Sequence, residues 1–171
     1  MNCPDLLASE IIRKRLQNMI GFALDFGGAM SDARSYIDGL AARGRHHFTP
    51  EEAREALGGT KDAVMLALHR LARQGLVAHP AHGFYVIVPP EYRRLGCLPA
   101  DQFIPALMEQ LGLGYYVGLL SAAQYHGAAH HRPQEFQVVT GTKRRGIACG
   151  AVRVVFVVRK RLADVPTQPF N

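Results

Sequence analysis

The sequence predicts an α+β chain, with helices in its first half and valine-rich strands in its second. Three observations carry that expectation. Apolar residues recur at helical spacing between Ala33 and Leu71, bounded by capping and glycine signals. Two β-prone segments, Leu76–Ala78 and Phe84–Val88, follow directly and are joined by His79-Pro80-Ala81-His82-Gly83. Beyond Pro89-Pro90, Glu135–Thr140 and Val152–Val158 read as strands, with a weaker strand signal at Ile147–Cys149.

Each element has a local reason. Leu6, Leu7, Ile11, Ile12, Leu16 and Met19 recur as on an amphipathic helix. Gly27-Gly28 then interrupts the chain and Met30 is a natural start, so residues 1–30 are expected to be an N-terminal extension outside the native fold. From Ser31 onward, Ala33, Tyr36, Ile37, Leu40 and Ala41 mark one face of a helix that Gly44 closes. Thr49 is then an N-cap, Pro50 suits the first helical position, and Glu52 completes a capping box. Phe48 and Ala53 occupy the positions of a hydrophobic staple. Gly58-Gly59 ends this short helix. Thr60 caps a third helix that runs to Gln74, buries Ala63, Val64, Ala67, Leu68 and Leu71, and stops at Gly75.

Helix, short helix, tight glycine turn, helix and hairpin, in that order, make a winged helix-turn-helix over residues 31–90. A small helical bundle with an incidental hairpin is the alternative. Caps, turn and hairpin all agree with the winged order, which favours it. Pro89-Pro90 marks a domain boundary. Residues 91–171 are expected to form a small mixed α/β domain. Its helices fall around Asp101–Leu111, opened or kinked by Pro105, and around Tyr116–Tyr125.

Composition narrows the function classes. Apolar residues make up 48% of the chain, enough to pack a core. Cys3, Cys97 and Cys149 are odd in number and scattered, which fits neither a disulfide framework nor a zinc site and suits a reducing cytoplasm. No apolar run reaches the length of a bilayer, and the stretch from Ile11 to Phe26 is broken by Asn18 and Asp25. A cytoplasmic location with no membrane partner is therefore expected. The formal net charge is +6, and most of it lies late: residues 91–171 carry ten basic against five acidic residues, whereas residues 30–90 carry seven against six. Such a balance favours a polyanionic partner, although solubility alone would also be served by it.

In a helix-turn-helix the second helix enters the major groove by its N-terminal part. With the buried stripe removed, Thr60, Lys61, Met65, His69, Arg70 and Arg73 remain to face DNA. Lys61 reaches phosphate or guanine, Thr60 backbone or base, and Arg70 and Arg73 suit phosphates or an ordinary solvated face. The wing offers His79 and His82 in place of Lys or Arg, and neutral imidazoles add little attraction. Lys143-Arg144-Arg145, with Arg153 and Arg159-Lys160-Arg161 beyond, form a second candidate surface for nucleic acid or a partner, or else a solvated turn. His126 and His130 share a helical spacing with His131 beside them, but the ligand set lacks a nearby carboxylate, so no metal is expected. Cys149 has no evident base and no P-loop is present. Neither catalysis nor a cofactor is expected.

Four stretches carry a family resemblance. They are Ser35–Gly44, Ala67–Val77, Gly83–Arg93 (Gly-Phe-Tyr-Val-Ile-Val-Pro-Pro-Glu-Tyr-Arg) and Tyr115–His130, which begins Tyr-Tyr-Val-Gly-Leu-Leu-Ser-Ala. Together they resemble the AbiEi-type antitoxins of abortive-infection, type IV toxin–antitoxin systems. The resemblance implies a winged domain that represses its own operon by binding inverted repeats in double-stranded DNA. It also implies a C-terminal domain that counteracts a nucleotidyltransferase-like toxin without a stable complex. By the same resemblance Thr60, Lys61, Met65, His69 and Arg70 stand at recognition-helix positions. Two departures stand out: His79 and His82 replace the usual wing arginines, and the family's C-terminal domain normally extends past Asn171. The rival reading is a winged-helix protein-interaction module without direct DNA binding, which the near-neutral charge of residues 30–90 keeps open. An RNA-binding role through Lys143-Arg144-Arg145 is a third.

Overall fold

A computed structural model describes residues 32–118 and 135–160. The helical stripe from Leu6 to Met19, residues 119–125 of the expected later helix, and His126, His130, His131 and Arg161 lie outside the described residues. Within them the chain is mixed α+β, with four α-helices and two sheets.

Helix α1, residues 32–42, buries Ala33, Ile37 and Leu40, as its stripe requires. The following turn returns the N–H groups of Arg43 and Arg45 to Leu40 O, and the chain enters β1, His47–Phe48. Helix α2, Pro50–Leu57, is held at its start by a reciprocal box. Glu52 N–H donates to Thr49 Oγ1 at 3.1 Å, and Thr49 N–H donates to Glu52 Oε2 at 2.8 Å. Arg45 Nη2 donates to the other oxygen, Glu52 Oε1, at 2.6 Å. These donors hold the Glu52 carboxyl below its ordinary range even though partial burial pushes it up.

Gly58 and Gly59 turn the chain at φ 66° and 79°, a region closed to most side chains. Thr60 Oγ1 accepts from Ala63 N–H at 3.3 Å and opens α3, Lys61–Arg73. Val64, Ala67, Leu68 and Leu71 are buried on it, whereas Ala63, expected in that stripe, is exposed. At about 100° per residue Ala63 lies roughly a quarter-turn off the stripe's centre, beyond the reach of the core.

The hairpin differs from its expected outline. Strand β2 runs from Val77 to Ala81 and β3 from Phe84 to Ile87, so the connection is His82-Gly83 alone. Registry slips between Ala78 and Ala81, where Pro80 has no N–H to donate. His79 therefore lies within a strand and not at the tip. Strand β1 completes a sheet of order β1-β3-β2, a pairing with no local signature in the sequence.

Every residue from Phe84 to Val88 is buried, because the hairpin has a core on each side. Alternation along β3 divides the side chains. Tyr85 and Ile87, with Leu76 and Val77, pack against α1 and α3 through Ile37, Leu40, Leu68 and Leu71. Phe84, Val86 and Val88, with Ala78, enter a second core with Phe103, Ile104, Leu107, Met108, Val138 and Val154.

That second core begins after a 3₁₀ turn, Pro90–Tyr92, and is built on α4, Ala100–Gln110. Pro105 lies inside α4 on its exposed side, where water can satisfy the carbonyl that the ring leaves unpaired. The sheet beneath has order β4-β5-β7-β6, with β4 at Tyr115–Val117, β5 at Phe136–Thr140, β6 at Ile147–Cys149 and β7 at Val152–Val158. Tyr115–Val117 corrects the helix expected to begin at Tyr116. Two tyrosines and a valine favour a pleated edge, and β5 supplies the partner strand. Strands β5 and β7 are parallel, which brings their C-terminal ends together.

Candidate nucleic-acid interface

Helix α3 turns one stripe outward. Lys61, Met65, His69 and Arg73 follow at four-residue intervals and are all exposed, Met65 by 37%. Thr60 is exposed at the N-cap, and Leu66 stands beside the stripe at 38%. Arg70 is half-buried and has an interaction of its own, so it is less available than its neighbours. The thirteen residues of α3 make a rigid rod of about 20 Å.

Between α2 and the start of α3 runs a shallow groove of about 200 Å³, lined by Pro50, Glu51, Arg54, Lys61, Val64 and Met65. Arg54 is a cation on this surface that the sequence reading missed. It belongs to α2, and only the double-glycine turn folds it back beside Lys61. Glu51 and Asp62 are also exposed here, so the local charge is mixed.

The hairpin offers less. His79 is exposed, with its ring tilted 35° against Tyr85 and centroids 4.6 Å apart, and partial desolvation, then His82, hold its pKa below the ordinary histidine value. It is therefore neutral at physiological pH. His82 is exposed at the tip, but Gln110 Nε2 donates to Gly83 O at 3.2 Å and ties that tip to α4.

A second set of cations gathers at one end of the other sheet. Lys143 and Arg145 are exposed and Arg144 half-buried on the loop between β5 and β6. The parallel register sets Thr140 beside Val158, which places Arg159 and Lys160 at that same end. Arg159 N–H donates to Thr140 O at 2.9 Å and its Nη1 to Tyr116 Oη at 3.2 Å. Among the described residues none of these five cations pairs with a carboxylate. Arg153 is set apart from them: its guanidinium turns back to Gly150 O at 2.7 Å and Val152 O at 3.1 Å.

Among the described residues no three His, Cys, Asp or Glu side chains cluster as a metal site, and no helix is long and apolar enough to cross a membrane.

The strands that carry these cations also carry the relationship to known proteins. Residues 116–171 match the AbiEi antitoxin C-terminal domain. The match covers most of the stretch Tyr115–His130 from which the resemblance was drawn, whereas Ser35–Gly44, Ala67–Val77 and Gly83–Arg93 lie outside it. No curated protein and no solved structure matches the chain.

Proposed function

We propose that this chain is an AbiEi-type antitoxin that binds double-stranded operator DNA sequence-specifically, represses its own toxin–antitoxin operon, and counteracts a nucleotidyltransferase-like toxin. Residues 31–90 are, on this reading, the winged helix-turn-helix and residues 91–171 the antitoxin-like domain. One observation carries the DNA reading: the outward stripe Thr60-Lys61-Met65-His69-Arg73 on a capped, rigid helix behind a tight glycine turn. Such a helix suits the major groove, and its N-terminal N–H groups suit a flanking phosphate. Lys143, Arg144 and Arg145 supply a second, sequence-blind contact with phosphates. His79 and His82 are exposed but bring no lysine or arginine to the hairpin, so they add little attraction for phosphates.

A winged helix used for protein contact is the rival reading, favoured by exposed Met65 and Leu66 beside Glu51 and Asp62. Titrating the protein against its own upstream DNA in a gel shift at two salt concentrations separates the two. Each phosphate contact releases counterions and contributes about −0.9 to the slope of log affinity against log salt. Retardation specific to that DNA and weakening steeply with salt supports DNA binding. Equal, weak retention of any DNA leaves the protein-contact reading.

A further inference from the structure

Cys97 follows the 3₁₀ turn, and Cys149 closes β6; far apart in sequence, they lie in the same buried core. Ala151 N–H donates to Leu95 O at 2.7 Å. A Cβ built on Gly96 would lie 3.3 Å from Gly150 Cα, and one built on Gly150 would lie 2.9 Å from Gly96 Cα and collide with Leu95 O. Leu95 thus meets Ala151 and Gly96 meets Gly150, an approach that a side chain at Gly150 would block, and Cys97 and Cys149 are the next residues along on either side. A disulfide spans about 4.4–6.8 Å between Cα atoms, a reach suited to two residues that each flank this close backbone contact.

Cys97 is fully buried, and Cys149 keeps 9% of its surface exposed. We propose that Cys97 and Cys149 form a modification site, a dithiol that a hydroperoxide converts into an intramolecular disulfide.

The asymmetry of the pair sets the order of events. Cys149 is the sulfur that solvent can reach, and the neighbouring Cys97 pushes its pKa down while Cys97's own is pushed up, so Cys149 meets the peroxide first. Its sulfur attacks one peroxide oxygen and the O–O bond breaks. The departing oxygen leaves as alkoxide or hydroxide and takes a proton, and Cys149 becomes a sulfenic acid. The sulfur of Cys97 then attacks Cys149 Sγ, the S–O bond breaks, and hydroxide leaves with the Cys97 proton as water. The dithiol loses two electrons and two protons, and the peroxide is reduced to one alcohol or water plus one further water. The bond would fasten the 3₁₀-to-α4 loop to β6.

Peptide mapping of the full chain after hydrogen peroxide treatment, denaturation and iodoacetamide alkylation tests this site. The expected product is a Cys97–Cys149 linked peptide, two hydrogens lighter than the separate pair and restored by dithiothreitol. Recovery of both cysteines fully alkylated, or linkage only to Cys3, overturns the proposal. The order is read with dimedone, which captures sulfenic acid. Cys97→Ser is expected to accumulate the adduct on Cys149 and Cys149→Ser to carry none on Cys97. An adduct on Cys97 alone would overturn the assigned roles.

Discussion

Helix α3 and the β5–β6 loop both hold cations in solvent, and they hold them by different means. Lys61 and Arg73 stand on a capped helix whose opposite face is locked into a core by Val64, Leu68 and Leu71. Lys143 and Arg145 stand on a loop and are joined by Arg159 and Lys160 only through strand pairing. A rigid helix fixes side chains well enough to read base edges, whereas a loop of like charges attracts any phosphate backbone. Between the two surfaces lies the hairpin, whose residues alternate between both cores. The difference is thus one of precision, set by what lies underneath.

The strongest way to break this comparison is to remove the wall the two regions share. Phe84 is fully buried in the second core and stacks on His47 of β1 at 5.7 Å between ring centroids. Phe84→Ala is expected to cost about 3–5 kcal/mol. Thermal unfolding followed by circular dichroism should show one transition moved down as a whole. Loss of structure confined to the C-terminal half would mean that the halves are not coupled through the hairpin.

A smaller effect distinguishes the two surfaces. Lys61→Ala is expected to weaken operator binding by about 1–3 kcal/mol and to relax base preference where it docks. Arg145→Ala should weaken every duplex alike and lower the salt slope by about 0.9. Competition gel shifts with scrambled duplexes compare the two variants; an exchange of these behaviours would reverse the roles.

Smaller still is the cap. Thr60→Ala removes the oxygen that accepts Ala63 N–H and is expected to cost about 1 kcal/mol, read from urea denaturation. A variant as stable as the parent would mean that water replaces the cap.

The least effect concerns pH. His79 and His47 both have pKa values lowered chiefly by burial, so the folded state favours their neutral forms. Their contribution is full above the unfolded histidine value of about 6.5 and is lost as pH falls through the lower folded values. Melting temperature should therefore decline on acidification below that point, and His79→Gln should flatten the decline. A melting temperature that rises on acidification would contradict the sign.

Much of the helical half was legible because its signals are local. Thr49 with Glu52, Gly58-Gly59, and Thr60 each make hydrogen bonds or turns within a few residues, so spacing alone reveals them. Features decided by distant partners were not legible. The two-residue strand His47–Phe48 exists only because β3 lies beside it. Tyr115–Val117 reads as a helix start until β5 is in view, and the slip at Pro80 moved His79 off the tip. At the candidate interface, Lys61 and Met65 follow from the wheel of α3. Arg54 and the gathering of Arg159 with Lys143 depend on a turn and a parallel register that no local pattern encodes.

Photo-cross-linking from Met65 is the most direct test of whether α3 meets DNA. With a photoreactive residue at Met65 and, separately, at Arg144, irradiated complexes with the upstream duplex are mapped by cross-link position. Cross-links to defined bases from position 65 and scattered ones from position 144 are predicted. Cross-links from 144 alone, with 65 silent on bound DNA, would contradict the account.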